Sequence, residues 1–340
     1  MSAAEPAAPS EPGDPFAAAA AEGIHRLAIP TPFTVGRVNV YLLEDEPLTL
    51  IDTGPNSGTS LDALERGLAA RGHAIADLEL VILTHEHYDH LGLVEVIRRR
   101  SGAEVAASEV ARPFVERDGD EADADDAFAV ELMRRHGVPA DTASALRSAS
   151  RAFRGWGSHT TVDRALGDGE TIELRDRTLE VAFRPGHSPS DTVFHDPRRR
   201  LALGGDHLLR DISSNPLASR APRGGQRTQA LVVYLESLRR TREMDLDVVL
   251  PGHGDPVLDH RGLIDARLAL HARRAEKLHG LISERSRSAH ELARALWGDV
   301  ALTQAYLTLS EVLGHTDLLV NAGRVVEEDS EGVVRFAPAA

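Results

Sequence analysis

Leu80-Val81-Ile82-Leu83-Thr84-His85-Glu86-His87-Tyr88-Asp89-His90 runs from four consecutive apolar residues into three imidazoles and an aspartate within six positions. A short apolar run bounded by polar residues reads as a strand buried on both faces. Directly after such a strand the chain can turn so that alternate side chains converge on one point. Neutral imidazole and carboxylate suit Zn²⁺ and related divalent ions. The chain has no cysteine, which excludes disulfides, thiolate zinc sites, iron–sulfur clusters and cysteine nucleophiles. Any metal must therefore be held by carboxylates and by some of the 16 histidines.

Outward from this stretch, matching candidates recur at strand ends. Arg184-Pro185-Gly186-His187-Ser188 follows a strand ending at Phe183, and Gly204-Gly205-Asp206-His207 follows a strand at 201–203. Pro251-Gly252-His253-Gly254 follows a strand at 248–250. Glycine beside each candidate lets the backbone approach a crowded site. One turn histidine alone carries little weight; all of these motifs in this order form a specific pattern. Further strands are expected at 38–43, 48–51, 103–107, 171–174, 178–183 and 192–195, with helices at 59–71, 92–100 and 231–242. Strands and helices alternate on both sides of an insertion at 112–165, which predicts an α/β sandwich of two similar halves. Within the insertion, the acidic run 118–126 reads as a solvated loop, followed by helices at 127–136 and 140–153.

From Gly262 onward the pattern changes. A long helix to about 283 precedes a capping box, Ser288-Ala289-His290-Glu291, which opens a helix ending at Trp297. A third helix spans 302–321, and 324–336 reads as two strands about a polar turn. Helices followed by a hairpin resemble a winged-helix module.

With these motifs in place, residues 24–259 resemble the metallo-β-lactamase superfamily. The resemblance implies a four-layer αββα sandwich with metals at the sheet edge, a helical lid insertion at 112–165 and a small winged-helix-like C-terminal domain. The corresponding division is a disordered tail at 1–22, a hydrolase domain at 23–260 and the C-terminal domain at 261–340. By the resemblance, His85, His87 and His187 hold a first zinc ion, while Asp89, His90 and His253 hold a second, with Asp206 bridging. Asp52 matches an aspartate that ends an early strand in the family, where it supports a ligand rather than binding metal; a turn or helix-capping role is the alternative. Two ions sharing a water would present hydroxide to an electrophilic carbonyl or phosphorus, with Asp89 orienting it and taking up its proton. The lack of cysteine departs from β-lactamases with a thiolate-ligated second site. His87 stands where the oxygen-reducing flavodiiron branch carries Glu, so hydrolysis is implied over redox chemistry.

Around the site, Phe128, Leu132, Met133, Phe153 and Trp156 of the insertion are candidate apolar walls. Tyr88 is a candidate substrate contact and His207 a candidate support for the ligands. His315 reads as a helix-face histidine within reach of the site.

The 38 Lys+Arg against 53 Asp+Glu give a net charge of −15. A nucleic-acid footprint needs clustered cations, and the segment 262–340 carries nine Lys/Arg against eleven Asp/Glu. The expected substrate is therefore a small molecule or an acyl-carrier-linked thioester, ester or lactone. A phosphodiesterase or endoribonuclease on the same metals is the alternative enzyme, and a winged-helix nucleic-acid-binding regulator the alternative outside catalysis. The C-terminal module is then a structural or homodimerising element. No run approaches the roughly 18 apolar residues of a membrane span, and the Ala/Pro-rich start has no cation before Arg26, so a cytoplasmic protein is expected.

Overall fold

The computed structural model describes residues 15–116, 119–220 and 227–339. Two sheets face each other. The first contains β1 (Ile24–Ile29), β2 (Val38–Leu43), β3 (Thr49–Ile51), β4 (Leu80–Leu83), β5 (Glu104–Ser108) and β6 (Arg164–Leu166), side by side in that order. The second contains β7 (Thr171–Glu173), β8 (Thr178–Phe183), β9 (Thr192–Asp196), β10 (Leu201–Gly205) and β11 (Val248–Pro251), ordered β11-β10-β9-β8-β7. In both, antiparallel hairpins give way to parallel pairing next to the strands that carry the metal motifs.

Side-chain alternation makes four layers of these two sheets. Leu80 and Ile82 of β4 point between the sheets, where they join Val181, Phe194, Leu203 and Leu250. Val81 and Leu83 point the other way, against Leu64 and Leu68 of α2 (Gly58–Ala69) and Ile97 of a later helix. On the second sheet, Val193, Ala202 and Val249 likewise meet Tyr234, Leu235 and Leu238. The outer helices are thus α2 on one side and Ala230–Arg242 on the other, an αββα sandwich.

The remaining helices are α1 (Pro15–Ala21), α3 (Tyr88–Leu91), α4 (Val94–Ser101), α5 (Arg112–Val115), α6 (Gly119–Arg135) and α7 (Ala140–Phe153), then α8 (Ala230–Arg242), α9 (His260–Glu284), α10 (Ala289–Trp297), α11 (Val300–Thr303) and α12 (Ala305–Asn321). Strands β12 (Arg287–Ser288), β13 (Val325–Ser330) and β14 (Val333–Pro338) form a small antiparallel sheet ordered β12-β14-β13. The Ser288/Glu291 capping box forms with both reciprocal hydrogen bonds.

Three expectations are corrected. Apart from residue 118, which lies outside the described residues, the acidic run is not a loop: residues 119–126 form the first half of α6, where Asp123 and Asp126 are paired by Arg151 and Arg154. Arg220 adds a partner for Asp125. The tail expected over residues 1–22 is a helix in its last part. Residues 15–21 form α1, whose Phe16 and Ala19 are buried against the inter-sheet core, while residues 1–14 lie outside the described residues. The expected single helix at 302–321 is broken at Gln304 into α11 and α12.

The insertion does not stand free over the sandwich. Leu132, Met133, Val138 and Ala143 share one apolar core with Leu278, Leu292, Leu309, Leu313 and Phe336 of the C-terminal segment. Leu132 and Met133 are therefore core residues rather than cavity walls. Phe153 is 44% exposed and lies against Phe33 with ring centroids 5.7 Å apart. Trp156 is half-buried, and its carbonyl accepts the Asn56 N–H.

Candidate metal centre

Leaving β4, the chain turns at His87 into the single helical turn of α3, which carries Asp89 and His90. His187 comes from the β8–β9 turn, Asp206 follows β10 and His253 follows β11. The end of β11 crosses to the first sheet, where Asn39 N–H donates to the Gly252 carbonyl and Val38 bridges His253. Gly252 is required by contact: a Cβ there would lie 2.3 Å from Asp206 Oδ1 and 2.7 Å from His90 Cε1.

All seven expected ligands meet. His85 Nε2 and His187 Nε2 lie 3.1 and 2.9 Å from His87 Nδ1. Asp89 Oδ2 lies 3.2 Å from His253 Nε2. Between these groups stands Asp206, 3.5 Å from His90 Nε2, 3.6 Å from His187 Nε2 and 3.5 Å from His253 Nε2. Their ligand atoms fall into three sets, each within 4.8 Å: His85/His87/His187, His85/His90/Asp206 and Asp89/His90/His253.

Hydrogen bonds behind the rings decide which nitrogens face inward. His90 Nδ1–H donates to Asp52 Oδ2 at 2.8 Å, and His253 Nδ1–H donates to the Arg37 carbonyl at 2.8 Å. Thr84 Oγ1–H donates to Asp52 Oδ2 at 2.8 Å, so its oxygen accepts from His85 Nδ1–H at 3.0 Å. Each of these imidazoles is left with an Nε2 lone pair aimed into the cluster. Consistent with an ion-binding role, the buried His90 Nε2, His253 Nε2 and Asp206 Oδ1 have no hydrogen-bond partner among the described residues. Asp52 holds this arrangement from a left-handed backbone, φ 60°, which its two side-chain and one Thr84 N–H contacts fix in place.

The electrostatics also suit a cation. Burial, helped by the neighbouring His90 and His87, pushes His85 well below the ordinary imidazole range. Burial, with His87 beside it, pulls His187 down to about 3. Both shifts favour the neutral imidazole, the form that binds metal. At His90, burial opposes charge, but the Asp206, Asp52 and Asp89 carboxylates outweigh it and raise the ring well above its ordinary value. Burial would raise Asp89, yet His90 and His253 hold it low. Converging carboxylates that favour protonated imidazole favour a divalent cation more strongly still. The residues present fit two metal ions.

The supporting candidates divide. Asp52 touches His90 as described. Tyr88 lines the adjoining cavity and packs on Gly157, where a Cβ would come within 2.5 Å of its ring. The His207 side chain turns away from the ligands: its Nε2 meets Thr241 Oγ1 at 2.8 Å, while its carbonyl accepts from Tyr234 Oη. His315 does not reach the site either. Its Nε2 is 3.1 Å from His271 Nδ1 in a buried contact between α12 and α9, and the nearby Glu311 carboxylate is taken by Arg274.

A cavity of about 240 Å³ adjoins the cluster. Glu86, His87 and His187 form one part of its lining; Phe114, Phe128 and Leu217 form apolar walls. Tyr306 of α12 completes it, its hydroxyl donating to the Ala218 carbonyl. Of the insertion's expected walls, Phe128 is the one in this lining. Thr84, adjacent to the first motif, was open to notice in the sequence; Tyr306, over two hundred residues from that motif, carried no signal.

Residues 33–253 match the family model described as the metallo-beta-lactamase superfamily. The chain is 34% identical over 299 residues to the probable metallo-hydrolase YqjP of Bacillus subtilis, covering 88% of this chain and 92% of that protein. It is 30% identical over 176 residues to the acyl-coenzyme A thioesterase MBLAC2 of Bos taurus, covering 50% of this chain and 58% of that protein. Among solved structures, a metallo-beta-lactamase family protein from Thermus thermophilus superposes with a TM-score of 0.78 at 28% identity, over 93% of this chain and 98% of that one. Fold, side-chain cluster and family match agree: the chain belongs to the metallo-β-lactamase superfamily, as a metallo-hydrolase.

Proposed function

We propose that the protein is a dinuclear zinc hydrolase of small acyl compounds, with thioesters first and esters or lactones next. The observation that carries this reading is the cavity beside His87 and His187, where Phe114, Phe128, Leu217 and Ala218 form an apolar side that can receive an acyl group with its carbonyl at the cluster. His85, His87 and His187 would hold one zinc, Asp89, His90 and His253 the other, with Asp206 shared. Two such ions supply a nucleophile at neutral pH and polarise a carbonyl oxygen. Asp89, kept ionised by His90 and His253, offers a buried carboxylate that can orient the attacking water. Phe114, Phe128 and Leu217 offer apolar contact to the acyl side. MBLAC2, similar over half of this chain, is named an acyl-coenzyme A thioesterase, which agrees with the choice of substrate. The net charge of −15 weighs against an RNA substrate.

The test is metal analysis of the purified protein together with turnover of thioester, ester, lactone, phosphodiester and β-lactam substrates. Two equivalents of zinc and a preference for thioesters are expected. Less than one equivalent, or a preference for phosphodiesters, would overturn the proposal.

A further inference from the structure

We propose that Tyr306, supplied by the C-terminal segment, sets the length of the acyl chain the cavity accepts, with a limit of roughly eight carbons. This rests on the acyl-hydrolase reading above and adds which acyl groups the site takes and which residue chooses them.

The size of the cavity gives the limit. At roughly 30 Å³ for a water-sized group, about that of a methylene, the cavity of about 240 Å³ corresponds to about eight such groups between its apolar walls and its open side. Medium-chain acyl groups fill it; longer ones must displace a wall or protrude. Among the walls, Tyr306 is held on two sides. Its hydroxyl donates to the carbonyl of Ala218, itself part of the lining. The next two turns of α12 place Leu309, Val312 and Leu313 in the core shared with the insertion, which ties the helix to its place. Tyr306 brings a neutral ring to a lining whose charged members are Glu86 and the paired Asp125 and Arg220. The ring occupies space an acyl group would otherwise use. The hydroxyl fixes the ring and the 217–219 segment relative to each other.

Ring volume and hydrogen bond are separable by substitution. The zinc-loaded wild type is compared with Tyr306→Ala, Tyr306→Leu and Tyr306→Phe on saturated acyl-coenzyme A thioesters from two to sixteen carbons. Thermal midpoint and metal content serve as checks of folding. In the wild type, kcat/KM should climb by up to about fourfold per methylene to about eight carbons, then level or fall. Tyr306→Ala frees room for about three more methylene-sized groups and should move the break to about eleven carbons, mainly through KM. Tyr306→Leu should fall between them, and Tyr306→Phe should keep the wild-type break. An unchanged break in folded Tyr306→Ala and Tyr306→Leu, or no chain-length dependence in the wild type, would overturn the proposal.

Binding of free fatty acids of the same lengths, followed by calorimetry, needs no turnover. If no thioester is cleaved but fatty-acid affinity shows the same break and the same shift, thioester hydrolysis fails and the role of Tyr306 stands. If affinity shows neither, the role of Tyr306 falls with it.

Discussion

Asp52 Oδ2 lies 2.8 Å from His90 Nδ1 and fixes the tautomer that turns His90 Nε2 towards Asp206. Asp52 does this from a left-handed backbone that Asn tolerates and Ala does not. Asp52→Asn should therefore fold normally while lowering metal affinity by about 10- to 100-fold. Competitive titration against a chelator of known affinity reads this directly. Wild-type affinity in Asp52→Asn would show that the contact does not tune the centre.

His85→Ala combined with His87→Ala removes two of the three nitrogens that meet at the first group. Hydrolytic activity should disappear, with the far-ultraviolet circular dichroism spectrum retained. Full turnover by the double variant would refute the assignment of the centre.

Metal removal should also be visible in stability. An ion that binds only the folded chain at a free concentration a thousand times its dissociation constant stabilises it by about 4 kcal/mol. Exhaustive chelation should lower the thermal midpoint, and returning zinc should restore it. Gly252→Ala should show the chelated midpoint even with zinc present, because the added methyl overlaps Asp206 and His90. An identical midpoint in wild type and variant with zinc would contradict this.

Acid should loosen the C-terminal core. His136 lies at the end of α6, with its ring stacked on Phe336, centroids 6.1 Å apart and planes 6° from parallel. Burial, aided by the charges of Arg227 and Arg135, lowers it to about 3 from an ordinary value of 6.5. The fold keeps this ring neutral, whereas the unfolded chain protonates it below pH 6.5. Stability from this residue is complete above pH 6.5 and is lost as pH falls from there towards 3. Between pH 7.5 and 5.5 the urea midpoint of the wild type should fall further than that of His136→Phe. Equal falls would remove His136 as the cause.

A substitution in the shared core tests whether insertion and C-terminal segment are one unit. Leu313→Ala, at a fully buried position, should cost about 2–5 kcal/mol. Limited proteolysis should then cut α6–α7 and α9–α12 together. Cleavage confined to one of them would show that the two are independent.

The sequence disclosed the sandwich and the cluster because both have local signatures. Strands such as 80–83 are apolar throughout, and every ligand stands at a strand end or in the short helical turn just after one. Helices at 140–153 and 231–242 followed from apolar spacing and agree with α7 and α8 within a residue. The acidic run failed because Asp and Gly argue locally for a loop, while the arginines that neutralise Asp123 and Asp126 lie about thirty residues downstream. The place of His207 depended on which way one side chain turns from a glycine-rich strand end, a matter settled by Thr241. The cavity was least legible, since its lining comes from the first metal motif, the insertion, the 217–220 segment and α12.

The union of the insertion with the C-terminal helices has a consequence for how this enzyme can change. A polypeptide ending after β11 and its histidine would keep every candidate ligand and lose Tyr306 with the core that steadies Phe128. On the role proposed for Tyr306, the candidate ligands and the wall that sets chain length lie in different stretches of chain. Substitutions in the later stretch can retune selectivity while the reactive centre stays untouched, so chimeras exchanging that stretch, together with 112–165, are the natural unit for redesign.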